Sequence, residues 1–241
     1  MKKTIKILSQ IISYIFPITC SSCGADMHFS SDSRICENCK KSFPKNSGLI
    51  CKKCGLPLPD GGEYCRICRK NKGEYSFDIM RSAYIYKDAL RKLVLRFKYS
   101  NRMFLAKDFG REMSKTVIEN GLHNTADFII PVPLNIIRRI KRGYNQAELL
   151  AEEISGNIKK PVLDDVLHRK KITRPQFKLS KTERAENIKD SFLVKNADLI
   201  KKKNILLVDD IATTSATASA CALALKSAGA SKVAVITIAR D

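Results

Sequence analysis

Residues Ile205–Thr217 read ILLVDDIATTSAT, an apolar run that ends on two adjacent carboxylates and passes at once into a row of hydroxyls. The run Ile205–Val208 sets four large apolar residues in succession, which suits a parallel strand covered on both faces. Two aspartates do not continue such a run. Asp209 and Asp210 are therefore expected where the strand ends, at the carboxyl edge of a sheet, where open α/β folds take their ligands. The stretch from Thr213 to Gly229 is rich in Ala, Leu and Ser. It predicts a loop leading into a helix whose first turn offers N–H groups and hydroxyls to an anion.

Around this stretch the pattern alternates. MRSAYIY (80–86) predicts a strand, and KDALRKLVLRFKY (87–99) and FLAKDFGREMSKTVIE (104–119) predict amphipathic helices. DFIIPVP (127–133) reads as a short buried strand ended by prolines, and NQAELLAEEI as a helix entered at Asn145. PVLDDVL (161–167) reads as a further strand, with Asp164 and Asp165 flanking a turn, and KVAVITIAR (232–240) as the last one. Residues 168–192 are basic and weakly periodic, which predicts a mobile loop running into a short helix. Strands alternating with helices predict an α/β fold with a parallel sheet flanked by helices.

The N-terminal third differs. Eight of the nine cysteines form four Cys-x-x-Cys pairs between residues 20 and 68, and Cys221 stands alone as a small core residue of the last helix. Such knuckles signal tetrahedral zinc. A glycine follows the first and third pairs (Gly24, Gly55) but not the second and fourth, which describes two tandem copies of one unit. This assigns Cys20, Cys23, Cys36 and Cys39 to one zinc and Cys51, Cys54, Cys65 and Cys68 to a second; an interleaved pairing stays open. Closed four-thiolate sites are structural, and four tandem pairs suit metal better than thiol exchange. The expected organisation is a helix plus double zinc ribbon over 1–75 and an α/β domain over 76–241. Residues 4–16 carry apolar residues at helical spacing, expected to pack on the ribbons, with a membrane-surface helix as the alternative. No secretory signal or membrane-spanning run is visible, and metal-binding thiols suit a reducing cytosol, so a cytoplasmic location is expected.

The formal charge is +20. Eight thiolates and two Zn²⁺ would lower it to about +16, of which +13 belongs to residues 76–241. Such a balance favours a phosphorylated small molecule or nucleic acid, or else reflects a solvated lysine-rich surface. The clusters Arg138-Arg139-Lys141-Arg142, Arg169-Lys170-Lys171 and Lys201-Lys202-Lys203 are expected in loops. Weak, salt-sensitive binding to single-stranded DNA is expected from them. His28, His123 and His168 are isolated, and no nucleophile–base pairing is visible.

Paired carboxylates at a strand end can hold a metal, act as acid and base, or accept hydrogen bonds from vicinal hydroxyls. Adjacent residues of an extended chain point to opposite faces, which counts against a one-metal cage. A ribose diol fits once the strand has turned, with a phosphate held by the TTSAT turn.

The same stretch resembles the phosphoribosyl pyrophosphate (PRPP) signature of type I phosphoribosyltransferases. Together with the cysteine-rich module, PVPLNIIRRIKRGYNQAELLA and RPQFKLSKTERAEN, in this order, it is similar to the ComF family of competence proteins over nearly the whole chain. The resemblance implies that Asp209 and Asp210 hold the ribose diol and that Thr213, Thr214, Ser215, Ala216 and Thr217 surround the 5-phosphate. It implies a pyrophosphate site after Pro131-Val132-Pro133 and a catalytic loop around Arg169–Lys178. The implied chemistry is pentosyl transfer, displacing pyrophosphate with Mg²⁺ on the leaving group, and the implied partners are PRPP, DNA or the DNA-uptake machinery. The family usually has glycine where this chain has Ser215. A non-catalytic adaptor or PRPP sensor on the same fold is the alternative to an enzyme.

Overall fold

The computed structural model describes residues 18–28, 31–70, 75–170 and 191–241. The helix expected over 4–16, and residues 171–190 of the expected loop, lie outside the described residues.

The cysteine-rich segment forms two small ribbons. In the first, β1 (Ile18–Thr19) and β2 (Asp26–Met27) pair antiparallel around the Cys20–Cys23 knuckle, and α1 (Glu37–Ser42) starts at the second knuckle. In the second, α2 (Arg66–Lys70) carries the end of the fourth knuckle.

The chain then alternates strand and helix. It runs through β3 (Ile79–Ile85), α3 (Asp88–Tyr99), α4 (Leu105–Glu119), the single turn α5 (Leu122–Thr125) and β4 (Phe128–Pro131). It continues with α6 (Ile136–Arg142), α7 (Gln146–Ile158), a small antiparallel pair β5 (Leu167–Arg169) and β6 (Phe192–Val194), then β7 (Asn204–Ala212), α8 (Ala216–Ser227) and β8 (Lys232–Arg240). The main sheet has the order β3-β8-β7-β4, and its three strand pairs are all parallel. Its central strands are buried over most of their length, which is why both read as nearly unbroken apolar runs.

Four expectations need correcting. The stretch 168–192 is not a loop at its described ends: His168 and Arg169 lie in β5 and Phe192 in β6, held by their antiparallel pairing. Strand β7 does not end at the aspartates but runs to Ala212, because the backbone keeps its register with β8 through Ile211↔Ala239 and Ala212↔Arg240. PVLDDVL is not a strand. It contributes one parallel bridge, Ile129↔Val162, a turn at Asp164–Asp165, and the first residue of β5. The cluster Arg138–Arg142 lies in a helix rather than a loop. Asn135 caps α6 by accepting from the Ile137 N–H at 3.0 Å, and Gly143 ends it at φ 78°.

Each face of the sheet is covered by its own cluster. Leu206 and Val208 pack with Leu90, Leu93, Val94 and Phe97 of α3 and with α4 and α7, while Ile205 and Leu207 pack with α8 and the second ribbon. The buried residues of α3 recur at three- and four-residue spacing, giving the apolar stripe that its amphipathic sequence predicts. Helices α4 and α7 approach so closely at Gly110 that a Cβ there would lie 2.4 Å from that of Glu153. The ribbons lie along the free side of β3. Lys45 bridges Tyr84, Asn46 N–H donates to Ala83 O, Ile85 N–H to Pro44 O and Met80 N–H to Lys53 O. Ser33 and the Arg34 N–H donate to the buried carboxylate of Asp108 on α4.

Candidate functional site

The eight paired cysteines gather into two groups, Cys20/Cys23/Cys36/Cys39 and Cys51/Cys54/Cys65/Cys68, with the sulfurs of each within 4.8 Å of one another. This is the tandem grouping, not the interleaved one. A tetrahedral zinc with bonds of about 2.3 Å sets its sulfurs roughly 3.8 Å apart. The Cys23–Cys36 and Cys54–Cys65 sulfurs stand at 3.8 and 3.6 Å. The donor set and spacing fit two closed structural zinc sites. The first knuckle of each ribbon turns through a left-handed glycine, Gly24 (φ 81°) and Gly55 (φ 68°), whose N–H donates to the first cysteine's carbonyl. Burial works against charge on Cys20, but the N–H groups of Cys36, Cys23 and Ser22 outweigh it and bring the thiol down to about 6. Cys51 is brought to about 6 in the same way by Cys54, Cys65 and Lys53. Each cluster thus holds one thiol ready to lose its proton to a metal.

At the carboxyl edge of the sheet, Asp209 and Asp210 are both partly buried in β7. Since the strand has not turned, they diverge. Asp210 meets Lys98 of α3, Oδ1 to Nζ 2.9 Å, with both side chains mostly buried. Asp209 lies on the α8 side, where its charge acts on Arg169 and Cys221. It also accepts the Asp210 N–H at 2.8 Å. Burial, and then the charge of Asp210, push the Asp209 carboxyl up to about 7, against the pull of that N–H, Lys98 and Arg169. Arg169 closes this side of the site from β5, over the Phe192 ring at 5.5 Å. Its Nε is buried and has no partner among the described residues. Burial, and then the charge of Arg138 on α6, lower the Arg169 guanidinium below its ordinary value.

The Thr213–Thr217 segment turns from β7 into α8 at Ser215, which adopts the left-handed conformation (φ 61°, ψ 10°) and is buried. That is the conformation for which glycine is favoured, and serine costs on the order of 1 kcal/mol there. The cost is offset, because the buried Arg240 at the end of β8 donates from Nη1 to Ser215 Oγ at 2.8 Å. A bond from a charged donor contributes about 1.5–3 kcal/mol. The Ser215 side chain does not cap α8, so the helix presents its first turn to the loop; the Thr214 hydroxyl approaches Ala216 N–H at 3.4 Å. Tyr75 OH donates to Thr214 O at 3.3 Å, and the Ser219 hydroxyl accepts the Ser76 N–H at 2.9 Å.

The structure brings together Asp209, Asp210, the hydroxyl loop and Arg169. Pro131–Pro133 lies beside them, since Val132 N–H donates to Val208 O. Sequence reasoning missed Lys98, which sits inside an ordinary amphipathic pattern, and the pairing of Arg240 with Ser215. Arg240 did carry a signal: a charge closing the apolar run KVAVITIAR repeats the logic applied to Asp209.

A family model described as a double zinc ribbon domain matches residues 11–69. Competence protein F of Haemophilus influenzae is 31% identical over 93% of this chain and 98% of its own length. The chain belongs to the ComF family of competence proteins. Competence protein ComFC of Bacillus subtilis is 30% identical over 87% of this chain and 85% of its own. The DNA utilization protein YhgH of Escherichia coli is 27% identical over 86% of this chain and 90% of its own. Among solved structures, a glutamine PRPP amidotransferase from B. subtilis aligns at 15% identity and TM-score 0.42, over 60% of this chain and 30% of its own. A purine phosphoribosyltransferase from Pyrococcus horikoshii aligns at 14% identity and TM-score 0.35, over 54% of this chain and 82% of its own. This ComF protein has a parallel four-stranded α/β sheet behind its two cysteine ribbons. No helix among its described residues is long and apolar enough to cross a membrane.

Proposed function

We propose that this ComF protein binds PRPP at the carboxyl edge of its sheet, with the 5-phosphate in the Thr213–Thr217 loop and the ribose hydroxyls against Asp209 and Asp210. One observation carries the reading. A left-handed, hydroxyl-rich turn at the start of α8 stands beside two partly buried carboxylates, with Lys98 and Arg169 close to them. The turn supplies donors for a phosphate, and the carboxylates supply acceptors for a diol. The charge of Arg138 works against that of Arg169, and a pyrophosphate group beside Arg169 would relieve it. Mg²⁺ bound with PRPP would neutralise the leaving pyrophosphate. The chain's own residues then orient the anomeric carbon and stabilise charge, which is the main demand of such a displacement. Asp209 and Asp210 lie on opposite sides of β7, so their contributions are unequal. Asp210 is held by Lys98, whereas Asp209 accepts a hydroxyl most strongly once it has given up its proton.

The test is calorimetric titration of the zinc-loaded protein with PRPP and Mg²⁺, followed by pyrophosphate release with a panel of nucleobases and amines. Asp209→Asn combined with Asp210→Asn should weaken binding by roughly 2–4 kcal/mol. A double variant that binds as tightly as wild type refutes the site. Binding without pyrophosphate release would support the second reading, a PRPP-sensing adaptor in DNA handling. The names of the competence and DNA utilization relatives and the basic helix α6, with Ile137 and Ile140 exposed, favour that role.

A further inference from the structure

The second cysteine cluster and the loop at Ser215 share one buried network. Gly55, the residue after the third knuckle, presses on β3 so tightly that a Cβ would lie 2.7 Å from Met80 O. The adjoining Lys53 carbonyl accepts the Met80 N–H at 2.7 Å. The wholly buried Met80 side chain carries this contact inward, its sulfur 3.6 Å from Ser215 Oγ and 3.0 Å from Arg240 Nη1. Arg240 is 3% exposed, and its Nε has no partner among the described residues. A buried guanidinium needs a nearby anion. A four-thiolate zinc site carries a net charge of about −2, and Cys54 of the second cluster is among the groups on which Arg240 acts. Beyond the fourth knuckle, Tyr75 and Ser76 bond Thr214 and Ser219, with the Tyr75 ring stacked on Phe77 at 4.9 Å. The first cluster attaches elsewhere, through Arg96 to Ser21 O and Asp108 to Ser33 and Arg34.

We propose that the second zinc site sets the conformation of the Thr213–Thr217 loop through Met80 and Arg240, making Arg240 a positioning residue for whatever the loop binds. Only the ligand in the test rests on the PRPP reading. Serine at a left-handed position needs a bond to hold it, and the ribbon fixes the groups that supply the bond.

The experiment uses the full zinc-loaded chain and reads amide hydrogen exchange over residues 212–221 without ligand. Cys68→Ser removes a half-buried ligand of the second site, and Cys23→Ser an exposed ligand of the first; zinc content is measured for both. Cys68→Ser should speed exchange in this stretch by about tenfold or more, with Cys23→Ser leaving it nearly unchanged. Arg240→Gln should give the same acceleration. Adding Ser215→Gly to Arg240→Gln should reverse most of it, since glycine holds φ > 0 without a brace. PRPP affinity, titrated in parallel, should follow the exchange. Unchanged exchange in Cys68→Ser after loss of its zinc, or equal acceleration in both cysteine variants, overturns the proposal. If Cys68→Ser unfolds globally, the two Arg240 variants decide, and failure of glycine to rescue overturns it. Exchange as expected in a wild type that ignores PRPP leaves the brace standing and removes the phosphate reading instead.

Discussion

Asp209→Asn should stabilise the ligand-free protein, and the gain should grow with pH. The Asp209 carboxyl is pushed from its ordinary 3.8 to about 7 by burial and by Asp210, so the folded state binds its proton more tightly than the unfolded chain does. Stability from this group is fully present below about 3.8 and is lost as pH rises through about 7. At about 1.4 kcal/mol for each tenfold change in proton activity, the whole effect cannot exceed about 4 kcal/mol. Between pH 5.5 and 8 the share lost is roughly 2 kcal/mol. Asparagine carries no such charge at either pH. Urea unfolding of the zinc-loaded wild type and variant at both pH values should therefore show the variant's advantage widening by about 2 kcal/mol toward pH 8. Both proteins carry the same zinc clusters, so the comparison between them cancels thiolate protonation. An advantage that stays constant, or narrows as pH rises, refutes the claim that Asp209 is held mostly protonated by its surroundings.

Elemental analysis of the purified chain should give two zinc ions, and Cys36→Ser should release only one of them. PRPP affinity should rise by up to about tenfold from pH 6 to pH 8, because ionised Asp209 accepts a ribose hydroxyl far more strongly than its neutral form, and Asp209→Asn should flatten that rise; the measurement is calorimetric titration at each pH. Lys98→Met should destabilise the fold by about 1.5–3 kcal/mol in denaturant unfolding, by leaving the partly buried Asp210 without its cation. Single-stranded DNA should bind weakly and lose affinity steeply with added salt in anisotropy titrations, and binding insensitive to salt would contradict a phosphate-led contact.

The parts of the fold set by burial were legible in the sequence. The β7 core, α8 and β8 read correctly because a strand covered on both faces must be apolar throughout. The end of β7 did not, because ladder pairing with β8 carries the backbone two residues past Asp210, a tertiary effect that local polarity conceals. Residues 161–167 have strand composition, yet they reach the sheet at a single bridge. Helix α6 was hidden by its four basic residues, although Asn135 and Gly143 mark its two ends. The cysteine grouping was legible because the alternating glycines report a repeat. At the site, Asp209, Asp210 and the hydroxyls lie in one stretch and could be read together. Lys98 and Arg240 come from distant elements and become partners of Asp210 and Ser215 only once the sheet has formed.

The ribbon segment along β3 has a consequence for how the molecule can be handled. In the order β3-β8-β7-β4, β3 is an outer strand, and residues 44–46 and 53 occupy its outward N–H and C=O groups. A chain begun at residue 76, or one stripped of zinc by a chelator, would present those groups bare beside Phe77, Met80 and Tyr84. An uncovered outer strand recruits the same strand from another molecule. Cutting away the metal-binding segment would thus yield aggregates rather than a smaller soluble protein, and lack of activity in such a preparation would say nothing about Asp209 or Ser215.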